Sequence, residues 1–515
     1  ARLRVDKPRP HKPLAVMFPA PTDQPLRHVN AAVTLSHTEA GLLLSSQRPV
    51  VIASRRTGAT LSAAIAPGLV DIGVMLPYSP LHHLLLNDFG AALVATSANI
   101  SGEPVLTDNA AVQQRLGHVA DGFLHHNRPI ERPADDPVYR VIQDRPRLLR
   151  PGRGCTPLEH ELPFRLRQPL LAVGGHMKNT IALAWDSRIV ISPHIGDMGN
   201  ARSLAVFEQT VSDLQALYQV TAEAILCDAH PGYATTRWAE RRELPVHRIF
   251  HHHAHAAVAC PVAPGGKPVL AFTWDGVGLG PDDTLWGGEA LLGGPGHWQR
   301  FASLRPFHLP GGERASREPW RSAAALCWET GLHWPQLPDN ATLLHQAWAR
   351  RLNTPQTSAA GRLFDAAAAL TGLCSIASFE GQGPMLLEAA CDDSTEVLEL
   401  PLAKDRLGVW ITDWAPLLPL LLDSGRTVAA RAAIFHASLG AAIMQQARCA
   451  REQHDVTRVG LSGGVFQNRV LTERVYRQLQ RDGFEVCLPD LIPVNDAGLC
   501  YGQVIEYGFD VTRPA

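Results

Sequence analysis

Val269-Leu270-Ala271-Phe272-Thr273-Trp274-Asp275-Gly276-Val277-Gly278 reads as an apolar strand, residues 269–274, that delivers a carboxylate into a glycine-rich turn. A strand ending in Asp-Gly-x-Gly lets backbone N–H groups approach phosphate oxygens, and its carboxylate can hold a metal. An ordinary tight turn between strands has the same composition, so the ligand question stays open at this point. The pattern gains weight because it returns. A strand at 458–461 meets Ser462-Gly463-Gly464-Val465, and strands at 170–173, 180–185 and 189–192, with a turn at Asp186-Ser187, open the preceding stretch. Helical stretches are expected at 202–218, 320–330, 341–352, 361–373 and 429–452. Strand and glycine-loop units at the start of two halves imply a duplicated α/β fold with a nucleotide in its cleft.

The first 160 residues or so form a separate mixed α/β unit. Short apolar runs at 14–18, 49–53, 93–96 and 138–142 alternate with helical stretches, one of them starting at Pro80. The run 145–157, with Arg, Pro and Gly interleaved, reads as a closing loop and linker. At roughly 150 residues per domain, 515 residues suggest about three domains. The formal net charge of −2 and the pI near 7.0 argue against a general polyanion binder such as a nucleic-acid protein. Nine scattered cysteines form no C-x-x-C pair, which excludes a zinc ribbon and fits reduced thiols in the cytoplasm. No uninterrupted apolar run reaches membrane-spanning length, so no membrane is expected. The chain opens on Ala1 in a charged, Pro-rich stretch, which suggests that it begins inside a longer protein.

Among 23 histidines, one cluster carries chemistry: His251-His252-His253-Ala254-His255. On a helix, His251 and His255 share a face and can bind one divalent metal. The alternative is a solvated, His-rich helix end. His252 and His253 point elsewhere, toward supporting or solvent positions. Ser462-Gly463-Gly464-Val465, followed by Gln467-Asn468-Arg469, suits a nucleotide resting on backbone N–H groups, with Asn468 donating to a ligand hydroxyl or base. Asp496 offers a further carboxylate, although a helix N-cap is its commoner use. Thr96-Ser97-Ala98-Asn99-Ile100-Ser101-Gly102 is a polar loop suited to phosphate, on which Lys7, Arg9, Lys12, Arg150 and Arg153 could converge.

In this order the motifs resemble those of the hydrogenase-maturation carbamoyltransferases, the HypF family. The resemblance covers essentially the whole chain. It rests on co-linear stretches: Lys12-Pro13-Leu14, Thr96–Gly102, Asp228-Ala229-His230-Pro231-Gly232-Tyr233, His251–His255, Asp275–Gly278, Gly361-Arg362-Leu363-Phe364-Asp365, Ser462–Gly464 and Asp496. It implies a YrdC-like unit over 1–160, N-terminally incomplete, and a TsaD-like unit of actin-like duplicated α/β fold over 168–515. It further implies a two-site reaction. Carbamate from carbamoyl phosphate is adenylated by ATP with Mg in the YrdC-like unit, and the carbamoyl group then passes to the C-terminal Cys of the partner HypE. By motif position the metal ligands would be His251, His255, Asp275 and Asp496, holding Fe or Zn. Lys178, Asp275, Gly276, Gly278, Asp365, Gly383, Gly463, Gly464 and Asn468 would contact nucleotide. Lys7, Arg9, Lys12, Ser97, Asn99, Ser101, Arg150 and Arg153 would surround ATP and the carbamoyl group. His176 stands where TsaD-type relatives carry an acidic residue. The acylphosphatase and zinc-finger parts of such proteins are absent from this sequence, so no turnover with carbamoyl phosphate is expected. Two rival readings share these motifs. One is an O-carbamoyltransferase or a tRNA threonylcarbamoyl-type transferase. The other is a non-catalytic scaffold that binds nucleotide and metal.

Overall fold

The computed structural model describes residues 2–261, 266–338 and 341–511. Contacts gather into two compact units, Ala1–His247 with Asp490–Val504, and Arg248–Pro489 with Ile505–Ala515.

The first unit holds two sheets. One has seven strands in the order Leu93–Ala95, Ala15–Met17, Asp71–Met75, Val50–Arg55, Val138–Ile142, Arg145–Arg150, with Val33–Thr34 beside Val50–Arg55. Val16, Val51, Ala53, Ile72, Val74 and Leu76 bury one face of it against Val29 and Leu43 of two short helices. The helix Pro80–Phe89 starts as expected: Ser79 caps it, Pro80 takes the first position, and Gly90 ends it in the left-handed region. The expected loop over 145–157 is half wrong. Arg145–Arg150 forms a strand antiparallel to Val138–Ile142, turning through Gln143 and Asp144 at φ near +55°. Pro146 misled the sequence reading. It sits on an edge strand, where its missing N–H costs no ladder bond.

The other two sheets, one in each unit, follow one plan. Leu170–Ala172, Ala182–Trp185 and Arg188–Ile191 make an antiparallel meander, and Ala224–Asp228 lies parallel to the first of them on its free side. Val246–Ile249 lies outside that strand, and Leu158–Glu161 closes the opposite edge. In the second unit Val269–Leu279, Leu285–Gly293 and Gln299–Leu304 repeat the meander. Arg458–Ser462 runs parallel to Val269–Leu279, with Glu485–Cys487 outside it. Both sheets thus share the order fifth, fourth, first, second, third. That is the duplicated α/β fold expected from the recurring strand and glycine-loop units.

One element departs from the sequence reading. The strand at Val269 does not end at Trp274; it runs on to Leu279, with its register slipping between Trp274 and Gly278. The Asp-Gly-x-Gly stretch is therefore an irregularity inside a strand, not a turn after one. A bulge of this kind re-aims side chains at a site while keeping the ladder on either side. The second unit's core is built on Phe272, Trp274, Phe364, Phe435, Leu439, Ile443 and Phe466. The helix Val428–His454 is long and apolar enough to cross a membrane by length and hydropathy, yet 67% of its most apolar window is buried in this core.

Behind the bulge sits a fully buried carboxylate. Glu289 accepts from the backbone N–H groups of Gly287 and Gly288, from Arg300 and from the hydroxyls of Ser303 and Ser358. Gly287, at φ +155°, leaves no room for a side chain: a Cβ there would lie 2.9 Å from the Asp275 carbonyl oxygen. Glu289 thus supports the strand segment opposite Asp275. Replacing it by Ala strands several buried donors, and Glu289→Ala should cost the second unit about 3 kcal/mol. The check is urea unfolding followed by tryptophan fluorescence; an unchanged midpoint would remove Glu289 from this role.

Candidate functional site

In the second unit, the helix His251–Ala259 places His251 and His255 one turn apart, with ring centroids 4.9 Å from each other. Both rings are buried, so the solvated-helix alternative fails. Asp275 reaches the same point from the bulged strand. Its Oδ2 lies 3.3 Å from His251 Nε2 and 3.7 Å from His255 Nε2, and its Oδ1 accepts from the Gly464 N–H at 2.8 Å. The three side chains each offer one ligand atom, all within 4.8 Å of one another. Burial by itself pushes the Asp275 carboxyl up, but His251 and His255 together outweigh it and hold the group well below the ordinary carboxylate range. Two imidazoles and an anionic carboxylate in a dry setting suit a borderline divalent metal such as Fe²⁺ or Zn²⁺. His252 is not a solvent group. It is fully buried, neither ring nitrogen has a hydrogen-bond partner, and burial drives its pKa well below the usual value.

The glycines around Asp275 have packing reasons of their own. A Cβ on Gly278 would lie 2.7 Å from the His251 ring, and one on Gly464 2.8 Å from Asp275 Oδ1. Gly463 adopts φ +98°, and a Cβ there would meet the Trp274 carbonyl oxygen at 2.2 Å. Gly276 differs, with nothing within 4 Å of its missing side chain, so it alone keeps open space beside Asp275. Asp365 is buried on the helix Ala360–Leu370, not a surface charge. Burial raises its carboxyl to about 6, against the pull of Arg362, whose Nη2 stands 2.8 Å away. A Cβ on Gly383 would lie 3.7 Å from Asp365 Oδ1, so these two predicted residues do meet. Asn468 caps the helix Arg469–Arg481.

Lys178 and Asp496 belong to the first unit. Lys178 adopts φ +46°, and its N–H donates to Asp197 Oδ1 at 3.1 Å. The capping role expected of Asp496 is taken by Asn495, whose Oδ1 accepts from the Ala497 N–H. Asp496 instead faces the Gly174-Gly175 turn, with Oδ2 3.9 Å from where a Gly175 Cβ would stand. His176, two residues before Lys178, stacks on Tyr233, which stacks on His230.

The cationic group in the first unit assembles largely as expected. Lys7 Nζ donates to Thr96 Oγ1 at 3.2 Å, to Asn99 Oδ1 at 3.1 Å and to the Ser97 carbonyl. Arg9 Nη2 reaches Asn99 Oδ1 at 3.0 Å, and the Ser97 hydroxyl donates to the same oxygen at 2.8 Å. Burial lowers Lys7 to about 8, helped by repulsion from Arg9 and Lys12; Lys12 is lowered by burial and by Arg9 and Arg150. Cations crowded out of water in this way are relieved by an anion among them. Two residues fall outside the group. Arg153 is spent on structure: it pairs with Asp136, donates to the Gln47 and Arg48 carbonyls and lies over the Tyr78 ring. Ser101 is exposed in the turn that follows the loop. His194 was missed. Its Nδ1 is buried without a partner, and burial lowers it to about 4, in the field of Asp135, Arg150, Asp197 and Lys178. No motif surrounds it; only the fold brings it there.

Comparison with known proteins settles the family. Residues 165–261 match the HypF Kae1-like domain, 271–503 match the second subdomain of the carbamoyltransferase Kae1-like domain, and 1–152 match the Sua5/YciO/YrdC family described as telomere recombination. Carbamoyltransferase HypF of Synechocystis sp. is 37% identical in an alignment that covers 98% of this chain and 68% of that protein. The chain belongs to the HypF carbamoyltransferase family. The HypF of Rhizobium leguminosarum bv. viciae is also 37% identical, over 97% of this chain and 66% of its own. A crystal structure of full-length HypF in the phosphate- and nucleotide-bound form superposes with a TM-score of 0.93 at 32% identity, covering 100% of this chain and 68% of that one. The chain spans about two thirds of the length of these relatives.

Two outcomes follow from the geometry. His255→Ala should lose most bound metal by elemental analysis, and Gly278→Ala should weaken metal binding by displacing the His251 ring; unchanged metal content in both would remove the ligand assignment. In the first unit, phosphate affinity should fall as pH rises through about 8, because Lys7 loses its charge there. Isothermal titration on either side of that pH should show this arm in the native chain and lack it in Lys7→Met.

Proposed function

We propose that this carbamoyltransferase activates carbamate with ATP in its first unit and transfers the carbamoyl group to a protein thiol at the second, the acceptor being the C-terminal Cys of HypE during hydrogenase maturation. The carrying observation is the cationic group in which Lys7 and Arg9 bind the Thr96–Asn99 loop and Lys12 and Arg150 lie within their field. Adenylation needs cations at the phosphates. A carbamate oxygen attacks the α-phosphorus of ATP, pyrophosphate leaves with Mg, and carbamoyl adenylate remains. Lys7 and Arg9 balance the charge that builds on the phosphate oxygens. Asn99 holds both cations through one carbonyl oxygen and is itself held, its Nδ2 donating to the Glu103 carbonyl at 2.7 Å. The acceptor thiolate then attacks the carbamoyl carbon, AMP leaves, and a thiocarbamate forms.

In the second unit His251, His255 and Asp275 would hold the metal. Such a metal supplies a Lewis acid for the phosphate or carbonyl end of the adenylate. The chain's own residues do the rest. Gly276 leaves space beside Asp275, Gly463 and Gly464 set the loop against it, and Asn468 and Asp365 contact the nucleotide. Nine free thiols among the described residues fit a reducing compartment, the cytoplasm.

The test supplies ATP, ammonium carbamate and HypE to the purified chain. The expected result is AMP release together with a thiocarbamate mass shift on the acceptor, both lost in Lys7→Met. AMP release that persists in Lys7→Met would move activation elsewhere. Nucleotide and metal binding with no AMP at all would favour a scaffold. Carbamoylation of a sugar hydroxyl or of threonyl-modified tRNA in place of HypE would overturn the acceptor.

A further inference from the structure

Asn468 is the end of a hydrogen-bond chain that starts deep in the core. His436 lies in the middle of the buried helix Val428–His454, with no exposed surface. Its Nδ1 stands 2.7 Å from the Ala432 carbonyl oxygen of its own helix. A carbonyl can only accept, so Nδ1 carries the proton. Burial lowers the pKa of His436, with Arg474 adding to it, while the Ala432 contact and Glu388 oppose; the ring is neutral near pH 7. Nε2 is therefore a bare acceptor. It faces the Asn468 amide, Nδ2, at 2.8 Å. At the other end of that amide, Oδ1 accepts from the Leu471 N–H at 2.9 Å. A backbone N–H can only donate, so the amide cannot be flipped.

The relay runs from the Leu471 N–H to Asn468, from Asn468 to His436, and from His436 to the Ala432 carbonyl. Both ends are backbone groups of known polarity, and every direction between them follows. Phe364 and Phe435 pack edge-on against the imidazole, and Cys391 Sγ lies 3.3 Å from Nδ1, so the ring is packed on several sides. One N–H of the Asn468 amide remains for a ligand. Its loop begins at Gly463 and Gly464, and Gly464 holds Asp275.

We propose that His436 is a positioning residue for the nucleotide: as a neutral acceptor it sets the direction of the Asn468 amide. This rests on the reading of Asn468 as a nucleotide contact. An apolar ring of the same shape would fill the space but strand the amide, whereas Gln at this position can offer an oxygen near the place of Nε2.

Binding of a fluorescent ADP derivative (mant-ADP) reads the effect, in a Lys7→Met chain so that the first unit contributes little. Thermal melting checks that each variant folds. His436→Phe should weaken binding about tenfold, and His436→Gln should stay within about threefold of the parent, as expected for loss or retention of one buried hydrogen bond. Asn468→Ala should weaken binding by a similar factor, and the double variant should add little further. Normal binding by Asn468→Ala overturns the nucleotide-contact reading and the inference with it. Weak binding by Asn468→Ala beside normal binding by His436→Phe overturns His436 alone. Equal loss in His436→Phe and His436→Gln assigns the effect to packing and also overturns it. If His436→Phe does not fold, His436→Gln and nitrogen chemical shifts of labelled histidine decide. A protonated Nε2 at pH 7 would overturn the proposal.

Discussion

One carboxylate orders the second unit. Asp275 is held at one oxygen by the Gly464 N–H and at the other by two imidazoles, so it joins a bulged strand, a helix start and the loop after a parallel strand. A buried carboxylate without partners would protonate or force the site open. Each neighbour is therefore placed to serve it. The register slip after Trp274 aims it, Gly464 removes the side chain that would collide with it, and Gly278 and Gly463 clear the His251 ring and the Trp274 carbonyl. Glu289 supports the backbone behind it with a full set of donors. The same residues that could hold a metal also tie the sheet to its helices, and this is why so many glycines and buried polar groups gather at one place.

The first unit solves a different electrostatic problem. There the charges are alike. Lys7 and Arg9 are held by one polar loop, Lys12 and Arg150 add charge to the group, and burial together with Arg9 and Lys12 lowers Lys7 to about 8. An anion among these cations would relieve their repulsion. Arg153, with the same charge and a neighbouring position, is excluded because Asp136, two backbone carbonyls and Tyr78 already use its whole guanidinium.

The buried histidines show two uses of one side chain. His251 and His255 turn Nε2 toward a carboxylate, where each can donate an N–H or, once deprotonated, offer a lone pair to a metal. His436 is kept neutral by burial and spends one nitrogen on its own helix so that the other can orient an amide. Composition cannot separate these roles, because each depends on which group faces the ring nitrogens.

By itself the sequence determined the duplicated α/β plan, the strand and helix periods of the elements that carry its motifs, and the helical His pair with its carboxylate and glycine neighbours. Hydrophobic period and i,i+4 spacing are local, so they can be read along the chain. Only the tertiary structure decided that Asp275 lies within a continuing strand, that residues 145–150 pair at a sheet edge, that Arg153 is structural, that Asp365 is buried, and that His194, His252 and His436 matter. Each of these depends on partners distant along the chain, and the free energy of a polar group is set by whether such partners reach it once water is gone.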